Sequence, residues 1–133
     1  MDERVTNIVI GGEAGQGLVT VGQLLSRSLV RGGYFIVVTQ SYESRIRGGH
    51  NTFAIRVSSR EVLAPQEGID LLVALSAETV ELHRGEMTSR GLIVVGEDME
   101  VGDGPSIMRV PLKGFAPERF SNIAALGVVG ALV

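Results

Sequence analysis

Cysteine is absent from the 133 residues of this chain, and its absence excludes several kinds of chemistry. Without a thiol the chain can form no disulfide, ligate no iron–sulfur cluster through thiolates and supply no cysteine nucleophile. Basic charge is also scarce, since 12 basic residues face 15 acidic ones and give a net charge of −3. A nucleic-acid-binding domain normally carries an excess of basic residues, so we expect no nucleic-acid partner.

Long apolar runs are missing as well. The longest covers residues 123–133 and would span roughly 17 Å as a helix, whereas a bilayer core is about 30 Å thick. The first residues are polar and do not resemble a signal peptide. We therefore expect a cytoplasmic protein with no membrane partner.

Glycine is abundant, with 18 residues in 133, about twice its usual share of roughly 7%. The hydrophobic content of 44% is that of an ordinary globular protein, and the length suits one domain over residues 1–133. Because the apolar pattern reaches the last residue without a cap, we expect this domain to continue beyond it.

Hydrophobic periodicity predicts the secondary structure. Buried strands are expected at residues 5–10, 34–39, 71–75, 92–95 and 107–110, and a strand of alternating pattern at 52–58. Helices are expected at 18–31, 77–83 and 116–133. The order strand, glycine loop, helix, strand indicates a Rossmann-like βαβ start. The fold class is therefore a three-layer α/β/α domain, whose mostly parallel sheet has an antiparallel strand at its edge.

The segment GGEAGQG at residues 11–17 joins the first strand to the first helix. Glycines at such a turn allow close approach of a ligand to the backbone, and the free N–H groups of a helix start attract anions. The segment lacks the Lys-Ser/Thr pair of a Walker A loop, and its glycine spacing differs from the dinucleotide fingerprint. Two interpretations stay open: a phosphate-binding loop or a ligand-free tight turn.

Another polar segment, SYESRIRGGHN at residues 41–51, follows the strand predicted at 34–39. The guanidinium groups of Arg45 and Arg47 could bind a phosphate or carboxylate through their forked N–H donors. Alternatively, they could form exposed ion pairs, which contribute little to stability. If the first two strands are parallel, both loops leave the same edge of the sheet, where ligands commonly bind. We expect His83 at the surface and Asp70 at a strand start, and no residue spacing indicates a metal site or a catalytic pair.

Three segments together resemble the gamma subunit, or gamma domain, of the 2-oxoacid:ferredoxin oxidoreductases. They are GEAGQGL at 12–18, SRIRGGHN at 44–51 and IDLLVA at 69–74. The segment at 44–51 is most similar to the gamma domain of 2-oxoglutarate-type enzymes, and the resemblance covers nearly the whole chain. It implies a component of a multi-subunit enzyme that oxidatively decarboxylates a 2-oxoacid to acyl-CoA and passes electrons to ferredoxin.

The same resemblance implies that catalysis resides elsewhere. The enzyme would use thiamine diphosphate, iron–sulfur clusters and coenzyme A, and this chain would associate with alpha and beta subunits, with a delta subunit as a further candidate. It would be inactive alone and hold no metal and no catalytic residue. The residues expected to contact coenzyme A are Gly12, Gly15, Gln16, Gly17, Arg45, Arg47, Gly48 and Gly49. The alternatives are a freestanding α/β nucleotide-binding module and a purely structural interface subunit.

Overall fold

The computed structural model describes residues 5–13, 18–43, 49–58, 68–96, 99–102 and 107–110. The strands of this part are β1 (Val5–Gly12), β2 (Phe35–Glu43), β3 (His50–Ser58), β4 (Ile69–Ala74), β5 (Met87–Gly96) and β6 (Ile107–Val110). The helices are α1 (Leu18–Arg31) and α2 (Ala77–His83), and a 3-10 turn, Arg84–Glu86, follows α2. The predicted helix at 116–133 lies outside the described residues.

The six described strands form one sheet in the order β2-β3-β1-β4-β5-β6. β4, β5 and β6 run parallel to β1, whereas β3 is antiparallel to both of its neighbours, β1 and β2. The mostly parallel α/β sheet with an antiparallel part is therefore confirmed. Its antiparallel strand is not at the edge, however. β3 lies inside the sheet and β2 forms the edge.

The first core fills the space between α1 and one face of the sheet. Buried residues of α1 recur at helical spacing, at Leu18, Val21, Leu25 and Leu29, and they face alternate residues of the strands. Each α-helical turn brings such residues to one side, so the predicted helix at 18–31 is confirmed at both ends.

α1 ends in a glycine cap. The N–H of Gly33 donates to the carbonyl of Val30 (3.0 Å), and the N–H of Tyr34 donates to that of Leu29 (3.1 Å). Gly33 has a φ of 89°, a conformation that a residue with a Cβ rarely adopts. This cap turns the chain back into β2.

The second core lies on the opposite face, between α2 and the sheet. Val80 of α2 is fully buried there with Leu72 and Val95, whose strand neighbours face α1 because side chains alternate along a strand. Helices therefore cover both faces of the sheet, which confirms the three-layer architecture.

Five of the six described strands, β1 to β5, are longer than their sequence patterns predicted, and β5 differs most, since it spans Met87–Gly96 and was predicted at 92–95. β1 continues through Gly11 and Gly12, and β2 continues through the polar residues 40–43, which pair with the first residues of β3. β1 and β2 run in the same direction, as the βαβ pattern predicted, but β3 separates them. The order on this side of β1 therefore differs from the classic dinucleotide-binding order, in which the second strand lies directly beside the first.

Candidate functional site

The candidate site lies at the sheet edge where β1 and β2 end and β3 begins. Asn51 of β3 pairs with Gly12 on one side and with Tyr42 on the other, and His50 pairs with Glu43. Paired Cα atoms in antiparallel strands are about 4.5–5.5 Å apart. The glycine loop and the basic loop therefore leave neighbouring strand ends at one edge, as predicted.

The structure describes two of the eight predicted site residues. Gly12 is the last residue of β1 and is buried, and Gly49 is half-buried directly before β3. Gly12 pairs with Asn51, and Gly49 precedes His50, so both glycines lie at the strand ends just described. The remaining six lie outside the described residues: Gly15, Gln16, Gly17, Arg45, Arg47 and Gly48.

Gly11 is a packing position, although it belongs to the same glycine cluster. A Cβ at this residue would lie 2.4 Å from Cγ2 of Thr79 and 3.1 Å from Cε1 of His50. Both distances are shorter than the 3.5–4.0 Å at which carbon atoms attract one another. The first glycine of the cluster therefore lets α2 approach β1, whereas the sequence pattern predicted only tight turning and close approach of a ligand for these glycines.

The start of α2 is held to this sheet edge by backbone and hydroxyl contacts. The N–H of Leu75 donates to the carbonyl of Gly11 (2.9 Å). Ser76, in extended conformation, precedes the helix, and its hydroxyl lies 2.9 Å from that of Thr79. Thr79 is fully buried, so this hydroxyl pair satisfies a polar group that would otherwise be costly to bury.

The two histidines of the chain meet beside this edge. Nε2 of His50 lies 2.8 Å from Nε2 of His83, and Nδ1 of His83 donates to Oε2 of Glu86 at 2.5 Å. His50 is buried, and only 17% of the His83 side chain is exposed. The prediction of a surface position for His83 is therefore wrong, because α2 turns this residue toward the first residue of β3.

The histidine contact constrains where protons reside. With Nδ1–H of His83 bound to a carboxylate, a neutral His83 accepts at Nε2 from the Nε2–H of His50. If both rings carried two protons, two N–H groups would oppose each other and the contact would break. This series of hydrogen bonds, His50–His83–Glu86, thus links the first residue of β3 to α2 and to the 3-10 turn after it.

Asp70 lies at the other edge of the sheet, where the parallel strands begin, and it connects their amino-terminal ends by hydrogen bonds. Its carboxylate accepts from the backbone N–H of Asn7 and from the hydroxyl of Thr88, both at 2.9 Å. The side chain of Asn7 continues this network, since it donates to the carbonyl of Gly68 (2.8 Å) and accepts from Nε of Arg56 (3.2 Å). Asp70 is the second residue of β4, so its hydrogen bonds join β4 to β1 and β5. This network lies away from the candidate site.

Within the described ranges, no group of three or more histidine, cysteine or acidic residues could hold a metal ion. In the same part of the chain, no helix is both long and apolar enough to cross a membrane.

Comparison with known families gives a match over almost the whole chain. The family model described as pyruvate ferredoxin/flavodoxin oxidoreductase matches residues 7–133. Two curated relatives are 2-oxoglutarate synthase subunits KorC. The subunit of Methanothermobacter thermautotrophicus is 31% identical over 94% of this chain and 73% of its own length. That of Methanothermobacter marburgensis is 29% identical over 94% of this chain and 74% of its own length.

Other relatives are much longer proteins. The 2-oxoacid:ferredoxin oxidoreductase subunit alpha of a Sulfolobus species is 37% identical over 56% of this chain, and the match covers 12% of that subunit. This chain therefore corresponds to a small part of the alpha subunits that it matches.

Solved structures share the fold. The 2-oxoglutarate:ferredoxin oxidoreductase of Magnetococcus marinus matches 97% of this chain and 24% of its own, with a TM-score of 0.74 and 19% identity. The gamma subunit of a keto/oxoacid ferredoxin oxidoreductase from Geobacter sulfurreducens matches 98% of this chain and 77% of its own, with a TM-score of 0.66 and 24% identity.

Proposed function

The chain belongs to the pyruvate ferredoxin/flavodoxin oxidoreductase family, and we propose that it is the gamma-type module of a 2-oxoacid:ferredoxin oxidoreductase. In this role it contributes coenzyme A binding and subunit contacts, while other polypeptides carry the catalytic groups. The KorC relatives, matched over most of both chains, support a subunit of this kind. The family resemblance derived from the sequence motifs agrees with this membership.

One observation carries the coenzyme A proposal: both loops leave the same edge of the sheet. The strand pairings bring Gly12 beside Asn51, just after Gly49 and His50. A glycine loop offers backbone N–H groups to a pyrophosphate, and the arginines of the other loop offer guanidinium forks. The Magnetococcus marinus enzyme, a structural neighbour, was solved with 2-oxoglutarate, coenzyme A and succinyl-CoA bound.

The side chains of this module do not suit the remaining cofactors of such an enzyme. Iron–sulfur clusters are held mainly by cysteine thiolates, and the chain has no cysteine. No thiamine-binding motif occurs in its sequence. The decarboxylation and electron-transfer chemistry is therefore assigned to alpha and beta partners, with a delta subunit as a further candidate, and ferredoxin is reached through the complex. A reducing cytoplasm is the compartment that suits this enzyme.

The alternative, a freestanding α/β nucleotide-binding module, is disfavoured mainly by the glycine loop. Its glycine spacing departs from the Gly-x-Gly-x-x-Gly fingerprint of such modules, and β3 separates β1 from β2, which are neighbours in the classic strand order. A purely structural interface subunit has the same fold but would not need the anion-binding character of the two loops.

Assembly is tested by co-expressing the full chain with its alpha and beta partners and analysing the product by size-exclusion chromatography. We expect one stable complex with 2-oxoacid oxidation activity, and none for the chain alone. Separate elution of all partners at micromolar concentration would contradict the subunit assignment.

Coenzyme A binding is tested by calorimetry on this complex. Because a charge-assisted contact contributes about 1.5–3 kcal/mol, Arg47→Ala should weaken coenzyme A binding roughly ten- to a hundredfold. Gly15→Val should weaken it similarly by preventing close approach of the backbone.

Two exposed positions provide matched controls for these variants: Arg27→Ala on α1 and Gly102→Val, where a Cβ would meet open space. Both should bind coenzyme A normally. If the loop variants also bind normally but the complex dissociates, the loops are interface elements and the anion site is wrong.

A further inference from the structure

The imidazole of His50 lies at the point where the two loops of the candidate site leave the sheet. His50 is the first residue of β3 and follows Gly49, one of the residues predicted to contact coenzyme A. Its ring lies beside the neighbouring strand, because a Cβ on Gly11 would lie 3.1 Å from Cε1 of His50. Gly11 directly precedes Gly12, the first predicted site residue of the glycine loop. One side chain therefore lies against the strand ends that carry both loops.

The contact between the two histidine rings requires a defined proton. Nε2 of His50 and Nε2 of His83 are 2.8 Å apart, so one of these nitrogens donates and the other accepts. Because Nδ1 of His83 donates to Oε2 of Glu86, a neutral His83 accepts at Nε2. The hydrogen bond at one ring nitrogen sets the state of the other. Glu86 thus fixes the tautomer and the orientation of the ring to which His50 donates.

Packing alone does not call for these polar groups in the interior. His50 is 5% exposed, and a leucine in its place would be buried without needing a hydrogen bond. The packing of α2 on the sheet is already apolar, through Val80 with Leu72 and Val95. A satisfied buried polar network rigidifies the elements that it joins. Here the network joins α2 to the first residue of β3.

The far end of the series is anchored in the parallel part of the sheet. Glu86 directly precedes Met87, the first residue of β5, which pairs with Ile69 of β4. The N–H of Met87 also donates to the carbonyl of Arg84 and closes the 3-10 turn. The backbone of Glu86 is therefore held in place on both sides. The series transmits this fixed position to the start of the antiparallel strand β3.

We propose that His83, oriented by Glu86, is a positioning residue of the coenzyme A site. It holds the ring of His50 and thereby the point at which the basic loop enters β3. The inference rests on the proposed function, because it assigns a positioning role at the same site. Recognition of a phosphate by guanidinium forks depends on geometry, so a shift of the strand end that follows the loop would weaken coenzyme A binding. His83 acts through His50 and not by touching the ligand.

The test measures coenzyme A binding and turnover of the assembled complex after substitution of His83. His83→Leu removes the acceptor for His50 and should raise the Kd and the KM for coenzyme A about two- to tenfold, with a smaller change of kcat. His83→Gln keeps an oxygen that can accept from Nε2–H of His50, so it should recover most of the affinity. A merely structural role would lower affinity in proportion to stability in urea and show no such recovery.

Substitutions of glutamate test the series while both rings stay in place. Glu86→Leu removes the acceptor for Nδ1 of His83 from a side chain that is 58% exposed, and it should also weaken coenzyme A binding. Glu81→Leu, at an exposed position of α2, is the matched control and should bind normally. The double variant His83→Leu/Glu86→Leu should bind no more weakly than His83→Leu, because Glu86 acts through His83.

The outcomes separate this inference from the function on which it rests. If the unmodified complex does not bind coenzyme A, or if Arg47→Ala binds it normally, the proposed coenzyme A site fails. If Arg47→Ala weakens binding but His83→Leu and Glu86→Leu bind normally, the positioning role is overturned and the site stands. Equal losses for the Leu and Gln variants of His83 would also overturn it. If His83→Leu does not assemble, the comparison of Glu86→Leu with Glu81→Leu decides, and equal affinities would refute the role.

Discussion

Replacing Gly11 by alanine should destabilise the domain through one identifiable contact. The added Cβ would lie 2.4 Å from Cγ2 of Thr79, more than 1 Å inside the normal carbon–carbon contact distance. Thr79 cannot easily move, because it is fully buried and its hydroxyl lies 2.9 Å from that of Ser76. α2 would therefore have to shift away from β1.

The expected cost follows from two opposing effects. Overpacking a buried position costs about 1–3 kcal/mol, and replacing a strand glycine by alanine recovers about 0.5–1 kcal/mol of backbone entropy. The difference is about 0–2.5 kcal/mol, and because the 2.4 Å contact is with a fully buried side chain, Gly11→Ala should lower the free energy of unfolding by an amount in the upper half of this range, about 1–2 kcal/mol. Thr79→Ser removes the clashing methyl group, keeps the hydroxyl, and alone should cost about 1 kcal/mol for the lost buried methyl.

The assay is urea unfolding of the full chain as a double-mutant cycle. The double variant Gly11→Ala/Thr79→Ser should have a free energy of unfolding about 1 kcal/mol or more above the value that the sum of the two single changes predicts. Gly85→Ala is the control, since a Cβ there meets open space. Additive single effects, or a Gly11→Ala variant as stable as the parent, would refute the packing role of Gly11.

Two further predictions concern the scaffold that carries the site. Asp70→Ala removes the acceptor for the N–H of Asn7 and the hydroxyl of Thr88, and should lower the free energy of unfolding in urea by about 1.5–3 kcal/mol. Asp70→Asn keeps one acceptor oxygen and should cost less, so equal losses for both variants would contradict the network. Gly33→Ala places a Cβ at a φ of 89° and should cost about 1–2 kcal/mol, measured in the same way. Gly32→Ala, at ordinary φ, should cost less, and the reverse order would show that the cap is misassigned.

The helices could be predicted from sequence because their patterns are local. Apolar residues of α1 recur every three or four positions and end at Gly32 and Gly33, and α2 has the same bounds in the structure as in the prediction. Residues 40–43 were predicted as loop because they are polar. They form strand through pairing with β3, a contact that local sequence does not reveal.

The position of β3 could not be predicted for a related reason. Its alternation of apolar and polar residues was interpreted as an edge strand, yet it lies between β2 and β1. The polar positions, Thr52 and Arg56 among them, lie on the face opposite α1, whereas the apolar positions of β3 pack in the core under α1, so the alternation reflects the two faces of the sheet and not an edge position. His83 was misplaced because its partner, His50, is 33 residues away in sequence.

The central claim, that this chain forms part of the coenzyme A site, is tested most directly by hydrogen exchange. The assembled complex is compared with and without saturating coenzyme A, and peptides of this chain are followed. We expect slower amide exchange on binding in peptides that cover residues 12–17 and 43–50, and unchanged exchange in the peptide that covers β6. Protection confined to the other subunits, with both loop segments unchanged, would contradict it.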